Sequence, residues 1–244
     1  MTPPQSSLGL IQANWPAPAH IHAYVTTRQA NNMALHVDDH PETVLHNRTQ
    51  LTNQLNLTQP ICWLTQQHTT QVVKAECWQP PPIADALWSD QAGLACAVMT
   101  ADCLPVLFTD VSGQQVAAAH AGWRGLLAGV LENTVATMAA PPHQLMAWLG
   151  PAISQAAFEV DDSVRTAFVA QNNKTAQAFI FSNKILLFCT FKCSIIECFL
   201  ITIKILIKFI NFGFCLFNHV LGFIKIKFSS IKLSSKIFFY IIFS

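Results

Sequence analysis

The stretch Leu94-Ala-Cys-Ala-Val-Met-Thr-Ala-Asp-Cys-Leu-Pro-Val-Leu-Phe-Thr-Asp-Val-Ser-Gly-Gln-Gln-Val-Ala-Ala-Ala-His-Ala-Gly-Trp-Arg-Gly125 decides how this chain is read. Leu94 to Thr100 is an apolar run of strand length, and Pro105 to Thr109 is a second. Asp110 to Gly113 reads as a turn, and Gln115 to Ala119 as the strand that follows it. Pairing across that turn, with arms of nearly equal length, carries Cys103 and His120 toward one edge. After Gly122 the period changes to 3.6: Leu126, Leu127, Val130, Leu131, Val135 and Met138 mark one face of a helix that stops before Pro141 and Pro142.

Outward from this stretch, α and β patterns alternate. Ala23 to Thr27 reads as a strand, and Pro41 to Leu55 as a helix with Val44, Leu51 and Leu55 on one stripe. Ile61 to Thr65 and Gln71 to Val73 read as short strands flanking His68, which falls at a bend. Leu145 to Leu149 is a further buried strand, and Asp161 or Asp162 caps a helix from Ser163 to about Ala170.

His68, Cys103 and His120 offer two imidazoles and a thiolate, the donor set of a zinc site with an open fourth position. Such an ion lowers the pKa of bound water and supplies hydroxide near neutrality. Gly122 and Gly125 let the backbone approach a ligand, while Arg124 and the amides of the helix start suit an anion. Each of these residues also has a plainer reading: a surface histidine, an exposed helix-start arginine, a core anchor in Trp123. His36, His40, His46 and His143 keep that plainer reading. Cys103 with His120 could also work without metal, as a nucleophile and base.

Composition divides the chain. Residues 1–179 hold all 13 Pro and all 6 Trp, and carry 6 Lys+Arg against 12 Asp+Glu. Residues 180–244 hold 15 Ile, 13 Phe and 8 Lys, with Glu197 as their single acid. The net charge of +1 is therefore an average of an acidic and a basic segment. The tail reads as out-of-frame translation of AT-rich DNA beginning near Thr175 to Phe181, which an intact ending in another reading frame would establish. A membrane segment over Ile195 to Phe217 is the alternative, but Lys204 and Lys208 interrupt it. Met1 to Gln12 lacks a basic stretch followed by an apolar core, so cytoplasmic residence is expected. Without CxxC pairs the eight cysteines are expected to be reduced, with Cys62 and Cys96 as small buried hydrophobes.

Five motifs in order, Gln66-Gln-His-Thr-Thr-Gln-Val-Val73, Ala84-Asp-Ala-Leu-Trp-Ser-Asp90, Met99-Thr-Ala-Asp-Cys-Leu-Pro-Val-Leu107, Ala119-His-Ala-Gly-Trp-Arg-Gly125 and Trp148-Leu-Gly-Pro-Ala-Ile153, resemble the laccase-domain (YfiH-like) family, also called polyphenol oxidases or purine nucleoside phosphorylases. The resemblance runs from about Trp15 to Ala178. It implies an α+β fold, a layered sandwich of mixed β-sheets flanked by helices, with the C-terminal part here missing or replaced. It implies a metal, usually taken as zinc, on His68, Cys103 and His120, which are then also the catalytic residues. It further implies phosphorolysis of adenosine, inosine, guanosine or methylthioadenosine, and deamination of adenosine. Copper-dependent laccase is the older description.

Purine nucleosides and phosphate are the partners expected, with Arg124 and Arg48 as substrate-binding cations; nothing points to nucleic acid or to a specific membrane partner. A laccase needs several coupled coppers and more histidines, and no recognisable motif places a weak axial Met. Two departures stand out. The loop Gln29 to Asn32 is shorter than is usual in the family, and Cys189-Thr190 comes too early to be the family's late Cys-Thr motif. Loss of the closing strands would leave sheet edges unpartnered, so a poorly folded, aggregation-prone product of little activity, even a non-catalytic remnant, is the expectation.

Overall fold

The computed structural model describes residues 9–76, 78–182, 185–190 and 238–243. The elements in chain order begin with β1 (Leu10–Gln12), β2 (His22–Thr26), α1 (Pro41–Gln54), β3 (Val72–Lys74), β4 (Ala86–Ser89) and β5 (Cys96–Thr100). Next come β6 (Leu104–Asp110), β7 (Val116–Ala121), α2 (Trp123–Ala128), α3 (Val130–Thr137), β8 (Leu145–Leu149) and β9 (Glu159–Val160). The remaining elements are α4 (Asp162–Gln171), β10 (Phe179–Ser182), β11 (Ile185–Phe188) and β12 (Phe238–Phe243).

Two sheets lie face to face. One has the order β1-β2-β12-β5, the other β3-β4-β7-β6-β8; a third, small sheet is β10-β11-β9. Among the described residues β3 and β4 pair parallel and the other ladders are antiparallel. Because side chains alternate along a strand, each sheet divides its residues between two layers. Ala23, Val25, Cys96, Val98 and Ile242 of the first sheet meet Leu87, Leu107, Val116 and Ala118 of the second in one buried layer.

The opposite face of the first sheet, with Ala97, Met99 and Ile241, packs on Leu51 of α1 and on Met33. The opposite face of the second, with Val106, Phe108, Ala117 and Ala119, packs on Leu126, Val130, Leu131 and Val135 of α2 and α3 and on Phe168 of α4. The result is helix, sheet, sheet, helix: the α+β layered sandwich expected from the resemblance. Full burial of a side chain such as Phe108 contributes about 1.5–3 kcal/mol.

The pairing across Asp110 to Gly113 forms as the turn signal implies, with Leu104 opposite Ala121 and Pro105 opposite His120. Asp110 accepts from the backbone N–H groups of Ser112 and Gln115, which closes the turn. Asp161 caps α4 by accepting from the backbone N–H of Ser163 and Val164. Cys62 and Cys96 are buried in the core, as expected of small core hydrophobes. His36, His40, His46 and His143 are exposed.

Three expectations need correction. The helix after Gly122 is two helices, because Gly129 takes a left-handed φ of 97° that both ends α2 and starts α3. The 3.6 period continues through the break because both pieces bury the same side, so periodicity alone could not detect it. Ile61 to Thr65 forms no strand: its ladder contacts are single bridges from Cys62 to Cys96 and from Thr65 to Ile83. Finally, the closing strands are not simply absent. Phe238–Phe243 lies antiparallel between β2 and β5, and β10 runs through the compositional boundary at residue 179.

No helix among the described residues is long and apolar enough to cross a membrane. The run Ile195 to Phe217, like Cys77, Cys193, Cys198 and Cys215, lies outside the described residues.

Candidate metal centre

Three segments converge at one end of the facing sheets. Cys103 lies in the link that leaves the first sheet at Thr100 and enters the second at Leu104. His120 is the penultimate residue of β7, on the strand face that looks toward the other sheet. His68 comes from the loop before β3. One donor atom of each residue lies within 4.8 Å of the others. Cys103 Sγ is 3.9 Å from His68 Nε2, and the two imidazole centroids are 4.9 Å apart in an edge-on arrangement. The cluster is graded in exposure: His120 is buried, Cys103 half-buried and His68 exposed.

Asp85 builds this corner, and sequence reasoning gave it no role. It is fully buried just before β4, and the β4–β7 ladder sets it beside His120. His120 Nδ1 lies 2.8 Å from Asp85 Oδ1, so the proton sits on Nδ1 when this bond forms and Nε2 is left to face the cluster. The same carboxylate accepts from the backbone N–H groups of Gln67 at 3.1 Å, His68 at 3.0 Å and Thr69 at 2.6 Å, and from the Thr69 hydroxyl at 2.9 Å. Burial works to raise the Asp85 pKa, but the bonds from His120 and Thr69 outweigh it and hold it below the usual carboxylate value. The signal available in the sequence was an acid inside the otherwise apolar run Ala84-Asp-Ala-Leu-Trp.

The His68 loop is held twice more. Gln66 extends its side-chain amide to the backbone of Met99, donating from Nε2 to the carbonyl and accepting at Oε1 from the N–H, both at 2.8 Å. His68 itself has φ 59°, a left-handed conformation uncommon for a residue with a side chain. Gly122 is the place where nothing larger than hydrogen fits: a Cβ there would stand 2.8 Å from His68 Nε2 and 3.1 Å from Cys103 Sγ.

Electrostatics in the cluster suit a cation. Burial pushes the Cys103 thiol up to about 12, with the Asp102 charge adding to it and Arg124 opposing. Burial, then the neighbouring His120, lowers the His68 pKa, with Asp85 pulling the other way. A thiol in that state is not a ligand or nucleophile by itself near neutral pH, and a positive ion beside it is what would release its proton.

Arg124, in the first turn of α2, is exposed with its guanidinium carbon 4.4 Å from the centre of the Trp123 ring, and its charge reaches both His68 and Cys103. α2 has only six residues, so the anion-directing helix start expected from sequence is weak. Arg48 is placed differently from expectation. It donates from Nε to the Met33 carbonyl at 2.9 Å and stacks 3.5 Å over Trp63, and burial lowers its pKa to about 10. Those contacts tie α1 to the segments on either side of it, at Met33 and Trp63, and none of them joins the His68, Cys103 and His120 cluster.

Two stacked sheets with a His, Cys, His cluster at one edge define the class. The model of the family described as multi-copper polyphenol oxidoreductase laccase matches residues 23–191, and the chain belongs to this laccase-domain family. A Pseudomonas aeruginosa protein named purine nucleoside phosphorylase is 49% identical over 178 residues, 68% of this chain and 72% of that one. The Escherichia coli purine nucleoside phosphorylase YfiH is 46% identical over 182 residues, 70% of this chain and 74% of the relative. A crystal structure of a Neisseria meningitidis protein superposes with a TM-score of 0.76 at 43% identity, covering 80% of this chain and 84% of that one.

Proposed function

We propose that this chain is a metal-dependent purine nucleoside enzyme, cleaving nucleosides with phosphate and deaminating adenosine. The observation that carries the reading is the meeting of His68, Cys103 and His120 around one point, with His120 oriented by a buried carboxylate. Carboxylate, histidine and metal in series is the common outer arrangement of zinc sites. Two imidazoles and a thiol fit zinc better than a hard cation, and His68, Cys103 and His120 would hold the ion. When bound, zinc supplies a Lewis acid to the open side of the cluster.

The chain's own groups do the rest. Asp85 keeps the Nδ1 proton of His120 in place. Gly122, having no Cβ, lets the His68 ring and the Cys103 thiol sit close against the start of α2. Arg124 is the cation positioned to bind phosphate as positive charge develops on the ribose, which favours attack at the anomeric carbon. Arg48 is left out of this assignment because its guanidinium is engaged with Met33 and Trp63.

The copper-dependent oxidase reading is supported by the family's description alone. A multi-copper oxidase couples several ions, and among the described residues His68, Cys103 and His120 are the one group of this kind. The metal-free pair of Cys103 and His120 is disfavoured because burial holds the thiol protonated.

The test is metal analysis of the purified chain, then assays with adenosine or inosine plus phosphate, with adenosine alone for ammonia release, and with a phenolic substrate. One zinc per chain with base release is expected, and His120→Ala should lose both. Phenol oxidation with copper bound would replace the reading by the oxidase one. Activity surviving exhaustive chelation would restore the thiol mechanism, and a metal-free, inactive folded chain would make it a remnant.

A further inference from the structure

The loop carrying His68 and the strand carrying His120 share one anchor. Three consecutive backbone N–H groups, those of residues 67 to 69, point at the Asp85 carboxylate, and the imidazole of His120 takes the same oxygen as the N–H of His68. Backbone amides converging in this way form a nest for an anion, here filled by a side chain of the same chain. His68 stands in the middle of this nest with a left-handed φ of 59°, and its Nε2 lies 3.9 Å from Cys103 Sγ.

We infer that Asp85 is a positioning residue that sets two of the three metal ligands at once. It fixes the tautomer of His120 so that Nε2 faces the cluster, and it holds the His68 loop in the conformation that closes it. Asp85 touches neither the proposed ion nor substrate. The inference rests on the metal-site reading above, and it adds that ligand choice on β7 and loop order before β3 are coupled through one carboxylate. An asparagine in its place keeps one acceptor oxygen and substitutes an NH2 for the other, so it serves either the His120 imidazole with the His68 N–H or the donors of Gln67 and Thr69, and not both sets.

The experiment uses the full chain and Co2+ as the probe. Wild type, Asp85→Asn and Gln66→Ala are titrated with Co2+, following the thiolate-to-cobalt charge-transfer band and the ligand-field bands. Gln66→Ala loosens the same loop from Met99 and leaves the contact between Asp85 and His120 intact. Expected for Asp85→Asn is Co2+ binding about 10–100-fold weaker than wild type, with altered ligand-field bands. Gln66→Ala should bind more weakly while keeping the wild-type spectrum. Equal affinity and identical spectra for Asp85→Asn and wild type would overturn the inference. The same spectral change in both variants would also overturn it, since Asp85 would then act only as a loop anchor.

Should Asp85→Asn fail to fold, the imidazole 15N spectrum of the wild-type chain decides. Protonation of His120 at Nδ1, with its proton shifted downfield by a carboxylate partner, supports the inference, and protonation at Nε2 refutes it. That measurement needs no metal. If wild type binds no Co2+, the metal-site reading falls, and the tautomer still decides what Asp85 does.

Discussion

β7 and β12 hold equivalent places in the two facing sheets, each antiparallel to a neighbour on either side, yet they are built from opposite materials. β7 is Val-Ala-Ala-Ala-His-Ala, buried throughout, with Ala117, Ala119 and Ala121 toward the helices and Val116, Ala118 and His120 toward the other sheet. Its small side chains bring α2, α3 and the opposing sheet close, which leaves an imidazole enclosed beside a carboxylate. β12 is Phe-Phe-Tyr-Ile-Ile-Phe, with Ile241 in one core layer and Ile242 in the other. A strand buried on both faces needs apolar bulk and no alternation. A strand that carries chemistry needs particular small neighbours as well, so low-complexity sequence can serve the first role and not the second.

The largest effect expected is on the site side of this comparison. Phe108→Ala empties the layer between β6 and the helices and should cost about 3–5 kcal/mol, read from urea unfolding. Ile242→Ala should cost about 2–5 kcal/mol if β12 carries its share of the core. A cost near zero there would break the comparison, because the tail would then not be what closes the first sheet. Soluble expression with cooperative melting would likewise retire the expectation of a collapsed product.

Smaller effects sharpen the picture at the cluster. Gly122→Ala forces a methyl against His68 and Cys103, about 1–3 kcal/mol of strain that the His68 loop relieves by moving out. Metal binding should weaken roughly 5–150-fold, by the conversion of 1.4 kcal/mol per tenfold, with little change in melting temperature of the metal-free chain. Retained affinity would mean the ring has room elsewhere.

The smallest effect is at the turn that pairs β6 with β7. Burial opposes ionisation of Asp110, but the Ser112 hydroxyl and the backbone N–H groups of Gln115 and Ser112 hold its pKa below the usual value. A carboxyl depressed in the folded state stabilises above its unfolded pKa of about 3.9, and that contribution is lost as pH falls through the folded value. Asp110→Asn should therefore be less stable than wild type near pH 7, the gap closing below about pH 4. Urea midpoints across pH measure it, and a constant gap would assign the loss to geometry and not to charge.

The sequence alone determined the local parts. Turn residues at 110 to 113 between runs of strand length fix the pairing of β6 with β7, and with it the neighbourhood of Cys103 and His120; Asp161 marks a helix start by its own side chain. Burial of Cys62 and Cys96 and exposure of His36, His40, His46 and His143 were legible for the same reason, since each depends on a few adjacent residues. The motifs named His68 with Cys103 and His120, and only the tertiary structure decided how the His68 loop is held beside them, that Asp85 binds both histidine segments, and that Arg48 braces α1. It also decided that Phe238–Phe243 fills the gap between β2 and β5. Such contacts join segments far apart along the chain, where periodicity and turn chemistry carry no information about which surfaces will meet. They are set by which buried donors find acceptors and which apolar faces find cover once the sheets are stacked.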